Sequence, residues 1–264
     1  MINLTSFKPQ LIGEGNINYF LFNNEAVFIE PKIDGVRILL EKRGNSIKLY
    51  SRTGKEWTSK FKSIIGSMKD EIAADNVILD GEIAVVNGNR FTSSNFVLRN
   101  KLNSNERLVY FPFDVLEIDN FSMIEQALIT RKQNLSLVLK GDSVVQAVPF
   151  RCTNSIVDVQ DYYKKCIENG VEGIVIKNNG AYKPNSRFDW LKLKPMRTLD
   201  MQVLDREPRK DGKGWIYSLK NNTCLAKATS SLDINNGCTV EVKYEKELIT
   251  SLRFPQILRV RFDK

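Results

Sequence analysis

A lysine set just before a tight turn carries the clearest chemistry in this sequence. In Glu30-Pro31-Lys32-Ile33-Asp34-Gly35-Val36-Arg37 an extended run ends at Lys32, and Asp34-Gly35 turns the chain back. A lysine so placed holds its ammonium at a fixed point instead of letting it sweep through solvent. An amine attacks only once deprotonated, a state that neighbouring cations and partial burial favour. Histidine is absent from the sequence. That excludes His-dependent triads and His metal sites, and leaves catalysis to lysine, arginine, carboxylates or a bound metal. Two further lysines lie in Leu191-Lys192-Leu193-Lys194, where strand alternation puts both ammonium groups on one face. Two positive charges there suit phosphates and act on Lys32. The plainer readings are a surface lysine before a hairpin and an edge strand protected by lysines.

Lys32–Arg37 resembles the adenylation motif of ATP-dependent DNA ligases and mRNA capping enzymes, and further segments follow in that family's order. These are Ser51-Arg52-Thr53-Gly54-Lys55, Leu79-Asp80-Gly81-Glu82, Phe111-Pro112-Phe113-Asp114, Glu172-Gly173-Ile174-Val175-Ile176-Lys177, Leu191–Lys194 and the final Arg261-Phe262-Asp263-Lys264. The resemblance implies a lysyl–AMP intermediate on Lys32, with Arg37 in the same motif binding the nucleotide. Arg52 would contact the nucleotide and the nick phosphate. Glu82 would accept from the ribose hydroxyls or help hold a metal. Phe113 would stack on adenine, with Glu30 accepting from its amino group. Glu172 would hold a divalent cation, Mg2+ or Mn2+, near the α-phosphate, because such ions take oxygen ligands. Lys192 and Lys194 would grip phosphates, with Arg187 a weaker candidate for the same ones. Arg261 and Lys264 would orient the departing pyrophosphate.

The elements that must position these groups are legible as patterns. Strand-like runs occupy Ala26–Glu30, Val36–Lys42, Ile47–Ser51, Val77–Val86, Leu108–Leu116, Gly173–Lys177 and Trp190–Lys194. Helical periodicity predicts helices over Thr58–Ala73, Ser122–Leu139 and Val157–Asn169, the last stopped by Gly170. After Pro195 come five short strand candidates, Met201–Asp205, Trp215–Leu219, Leu225–Thr229, Cys238–Tyr244 and Ile257–Phe262. The expected fold is therefore α+β. An adenylation (nucleotidyltransferase) domain of antiparallel sheets flanked by helices, residues 1–195, precedes a small all-β OB-fold domain, residues 196–264. The linker after Lys194 is the expected hinge between them.

Bulk properties narrow the function. The 264 residues are 42% hydrophobic and 27% charged, an ordinary globular composition. No apolar run reaches the length of a membrane span, and the start lacks a secretory pattern, so an intracellular monomer is expected. Thirty-nine basic against thirty-one acidic residues give a net charge of +8, which suits a solvated surface and nucleic-acid binding alike; the resemblance implies nicked double-stranded DNA as partner, with salt-sensitive binding. Arg206, Arg209, Lys210 and Lys213 are candidates for that grip. The four cysteines show no C-x-x-C pairing, which argues against a zinc site. The expected activity is an ATP-dependent DNA ligase that seals nicks. A capping guanylyltransferase or RNA ligase of the same superfamily is the enzymatic alternative. A nucleic-acid clamp is the non-enzymatic one, disfavoured because the nucleophile and the phosphate-gripping lysines are all present.

Overall fold

The computed structural model describes residues 2–88, 90–92, 102–141, 143–248 and 250–263. The chain divides into two compact units, Met1–Lys194 and Pro195–Lys264.

The first unit holds two antiparallel sheets. One has the order β3-β2-β4-β6-β7, from Ser46–Ser51, Val36–Arg43, Asn76–Asn87, Glu106–Ile118 and Phe121–Ser122, with β5 (Arg90–Thr92) also on β4. The other has the order β10-β9-β1-β8, from Trp190–Leu193, Ile174–Asn178, Val27–Pro31 and Arg151–Thr153. Side chains alternate faces along each strand, so both faces of the larger sheet are buried by different partners. Ile38, Leu40 and Leu79 pack with Phe61 of the turn before α2 (Lys62–Glu71), with Met68 of α2 and with Leu135 of α3 (Leu128–Leu137). Their neighbours Leu39 and Ile78 face the opposite way, onto Val175, Tyr182 and Trp190 of the smaller sheet and its loops. That sheet's far face, Val27, Ile29, Ile174 and Ile176, is covered by Phe20 of α1 (Ile17–Phe22) and by Val159 and Cys166 of α4 (Ile156–Glu168). Strands buried on both sides must read as nearly continuous apolar runs, as these do.

Two expected elements differ. The helix expected over Ser122–Leu139 is confined to Leu128–Leu137. Asp119 and Asn120 both take positive φ, 47° and 70°, which makes a two-residue hairpin turn. Phe121 and Ser122 then pair back on β6. Ile124 goes to the core between the sheets, so an apolar spacing of helical appearance is met by a hairpin and a turn. The Thr58–Ala73 helix is likewise shorter, with a 3-10 turn over Thr58–Phe61 before α2.

Glu71, at the end of α2, locks a neighbouring loop by accepting from the backbone N–H groups of Val144 (2.9 Å) and Val145 (2.8 Å). Burial would raise this carboxyl, but those N–H donors outweigh it and hold it below its ordinary value. A carboxyl depressed in the folded state stabilises above its unfolded pKa, about 4.3, and loses that stabilisation as pH falls through the lower folded value. Glu71→Gln should therefore lower the melting midpoint at neutral pH, and the gap to wild type should close as the medium is acidified below about pH 4. A gap of equal size at every pH would mean that the charge contributes nothing.

The second unit is built on a five-stranded antiparallel sheet of order β13-β12-β11-β14-β17, from Leu225–Ser230, Trp215–Lys220, Arg197–Pro208, Thr239–Tyr244 and Gln256–Val260. A short hairpin, β15 (Lys246–Glu247) with β16 (Leu252–Arg253), lies between the last two in sequence. Met201, Val203, Tyr217, Leu219, Ala228, Val240 and Val242 alternate inward to form its core. The outer strands β13 and β17 approach each other.

Candidate active site

Lys32 leaves the end of β1, and its backbone N–H donates to the carbonyl of Gly173 (2.9 Å). That bond ties the lysine to the loop entering β9 and so brings Glu172 beside it. The Lys32 Nζ stands 2.6 Å from Glu172 Oε2, and Lys194 Nζ pairs with the other carboxylate oxygen. Two glycines permit the approach. A Cβ on Gly173 would lie 2.3 Å from the Leu193 carbonyl, and one on Gly35 would lie 2.3 Å from that of Ile83. Burial would raise the Glu172 carboxyl, but Lys32 and Lys194 hold it below its usual range. Glu82, on β4, is the second carboxylate here. Burial, with like charge from Asp80 and Glu172, pushes it up to about 8 against the pull of Lys32 and Arg37. It is therefore poised to gain from an added positive charge.

Beside Lys32 opens a slot walled by Phe113, Val175 and Trp190, with Glu30, Glu82 and Lys177 also on its lining. Phe113 and Trp190 meet edge to face with ring centres 5.9 Å apart. The Lys177 ammonium lies 4.4 Å from the Phe113 ring centre and 4.2 Å from that of Trp190. Burial pulls Lys177 down to about 8, although Glu30 opposes the shift. Glu30 is buried with both carboxylate oxygens engaged, Oε1 by Lys132 at 2.5 Å and Oε2 by Lys177 at 2.8 Å. Glu30 nonetheless lines the slot, where it is the proposed acceptor for a ligand's amino group. The donor turned toward the slot is Lys177.

Arg37, expected to bind the nucleotide, is held by protein groups. Its Nε donates to Asp80 Oδ1 (2.9 Å), its NH2 to Asp80 Oδ2 (2.5 Å) and its NH1 to the Gln10 carbonyl (2.5 Å). The Tyr182 hydroxyl donates to Asp80 Oδ2 (2.6 Å) and accepts from Arg37 NH2 (3.2 Å) and the Gln10 N–H (2.9 Å). Burial and then Asp80 push this phenol well up, so it keeps the proton it donates. Nearby, Asp114 takes a two-point pair from Arg131, Nε at 2.7 Å and NH2 at 3.1 Å.

The remaining sequence candidates are more dispersed. Lys192 pairs with Glu14 at 2.9 Å. Arg52 and Arg187 are exposed, and among the described residues neither joins the ion pairs around Glu172. Arg261 lies in the second unit, held by Asp200 (3.0 Å) and Asp263 (2.7 Å), and Lys264 lies outside the described residues. Of the basic candidates for grip, Arg206 pairs with Asp233 over the Trp215 ring and Arg209 pairs with Asp211.

Sequence reasoning missed Gln10, Asp80, Asp114, Arg131, Lys132, Lys177 and Tyr182. A signal existed for three of them. Asp80, Asp114 and Lys177 interrupt or end apolar strand runs, and a charge in a strand buried on both faces demands a partner. The identity of that partner was not readable.

Residues 14–194 match the family model described as ATP dependent DNA ligase domain. A DNA ligase of Thermococcus onnurineus is 30% identical over 195 residues, which cover 69% of this chain and 34% of that protein. DNA ligase 2 of Methanosarcina acetivorans is 31% identical over 210 residues, 74% of this chain and 36% of that protein. The chain thus spans little more than a third of these relatives' length. Among solved structures, the ligase domain of LigD from M. tuberculosis superposes with a TM-score of 0.62 at 16% identity, covering 100% of this chain and 97% of that one. A Lig E DNA ligase gives 0.70 at 16% identity, covering 96% and 99%. At such identities the likeness is one of fold.

Proposed function

This chain belongs to the ATP-dependent DNA ligase family, and from that premise we propose that it seals nicks in duplex DNA through an AMP carried on Lys32. The observation that carries the reading is the placement of Lys32. It is fixed at a strand end, ion-paired to Glu172 beside Glu82 and Lys194, at the mouth of a slot with an aromatic wall.

ATP would enter with its base against Phe113 and its α-phosphate at Lys32. Lys177 donates toward the base edge, and Lys194 answers phosphate charge. The Lys32–Glu172 pair opens as the amine loses its proton and attacks the α-phosphorus, expelling pyrophosphate in line. AMP then passes to the 5′-phosphate of a nick, and the 3′-hydroxyl displaces it. Each transfer gathers charge on phosphoryl oxygens, which fixed cations stabilise without a histidine base. Glu82 and Glu172 form an all-oxygen donor pair that fits Mg2+ or Mn2+, and such an ion would supply charge neutralisation at the phosphates.

Arg52 and Arg187, both exposed, are left to the nucleic acid in this reading. We assign the second unit to the OB type. Its support is the strand order, a three-strand meander with the fourth and fifth strands on the other side and the outer strands approaching each other.

The test is incubation with α-labelled ATP or GTP and Mg2+, followed by a nicked duplex. Label should attach from ATP alone and be released as AMP as the strand is sealed. Label from GTP would place the chain with the capping enzymes, and no label from either would remove the enzyme reading.

A further inference from the structure

Tyr182 lies outside every motif that marks the site, yet its hydroxyl closes a buried polar ring behind the slot. A hydroxyl offers one donor and two acceptor positions. Here all three are used, toward Asp80 Oδ2 (2.6 Å), Arg37 NH2 (3.2 Å) and the Gln10 N–H (2.9 Å). The ring closes because the Gln10 carbonyl accepts from Arg37 NH1 and Asp80 holds the rest of the fork. Gln10 is itself buried, with its side-chain oxygen accepting from the Lys183 N–H (2.6 Å).

The ring meets the aromatic wall of the slot first at Arg37. The Arg37 guanidinium carbon lies 5.3 Å from the centre of the Phe113 ring and 5.8 Å from that of Trp190. With four of its five N–H donors held, Arg37 is a rigid backing for an aromatic platform, whereas an arginine with a loose fork is not. Tyr182 reaches the same wall a second way, since its own ring meets Trp190 edge to face at 5.6 Å. Replacing tyrosine by phenylalanine keeps that aromatic contact and deletes the hydroxyl's three bonds, so the two routes can be separated.

Resting on the proposed ATP reading, we infer that Tyr182 is a positioning residue for the nucleotide base. Its hydroxyl, with the backbone of Gln10, locks Arg37 behind Phe113 and so sets the width and tilt of the slot. The residue touches no reacting atom. Its loss weakens base binding and leaves the phosphoryl chemistry at Lys32 intact.

The experiment is the ATP dependence of Lys32 labelling for wild type, Tyr182→Phe, Phe113→Leu and the double variant. Melting curves fix an assay temperature well below every midpoint. Tyr182→Phe should raise the ATP concentration for half-maximal rate about tenfold, the scale of one net hydrogen bond, with little change in the maximum. In the Phe113→Leu background the same change should have under about a twofold effect, because the platform it braces is gone. A lower maximum with unchanged half-saturation would make the hydroxyl merely structural and overturn the inference. Equal effects in both backgrounds would also overturn it, by removing the route through Phe113. Absence of label on the wild-type chain would be recognised separately, as failure of the ATP reading itself.

Discussion

Lys32→Ala will take no covalent label from α-labelled ATP, while still joining a nick whose 5′ end already carries AMP. The first half follows from chemistry. Among the described lysines near Glu172, Lys194 is bound to the same carboxylate and leads out of β10, whereas Lys32 is pinned through its backbone to Gly173. Only a nucleophile held at one point can meet the α-phosphorus in line. Loss of a covalent nucleophile costs on the order of 10^6-fold in rate, which here means no detectable adduct. The second half follows from the division of steps, since the last displacement uses the 3′-hydroxyl and needs no lysine. The variant should also fold, because Glu172 keeps Lys194 as a partner. Gel detection of the adduct, with sealing of a pre-adenylated nick as the companion assay, reads both halves. Persistent label would move the nucleophile elsewhere. Loss of both activities would show that Lys32 also serves the final step or the fold.

Asp114→Ala should be the most destabilising single change in the first unit. Asp114 is fully buried, and its two oxygens hold the equally buried guanidinium of Arg131. Removing the carboxylate strands a positive charge in the interior, at a cost of about 3–5 kcal/mol. Against a total stability of about 5–15 kcal/mol, that is a large fraction. Arg131 also donates to the Gly180 carbonyl (3.1 Å), so the pair ties α3 to both β6 and the loop after β9. The paired replacement Asp114→Leu with Arg131→Met should be far milder than the single change, because it leaves no charge unpaired. Urea midpoints of the three proteins make the comparison. A loss below about 1 kcal/mol for Asp114→Ala would mean that water reaches the guanidinium and that the site is not as dry as its packing indicates.

Much of this site was legible because its chemistry is local. Lys32 before Asp34-Gly35 is a strand end followed by a turn, and both depend on neighbouring residues alone. The same holds for the apolar runs of β1, β4, β6 and β9, and for the stop of α4 at Gly170, whose φ is 76°. Where local pattern and backbone conflicted, at 122–127, the positive φ of Asp119 and Asn120 decided for a hairpin over helical spacing.

The sequence by itself therefore determined which residue is proposed to attack, the class of chemistry open to a chain without histidine, and the strands that carry the site. Tertiary structure decided what each charge does. Lys32 meets Glu172 across 140 residues, Tyr182 meets Asp80 across 102, and Gln10 meets Tyr182 across 172. Glu30, on the lining of the slot, is answered there by Lys132 and Lys177. The physical reason is desolvation. A charge buried by sheet packing must be answered by whatever the topology brings within about 3 Å. Alternation along a strand says that a side chain points inward, but only the antiparallel order β10-β9-β1-β8 says what waits there.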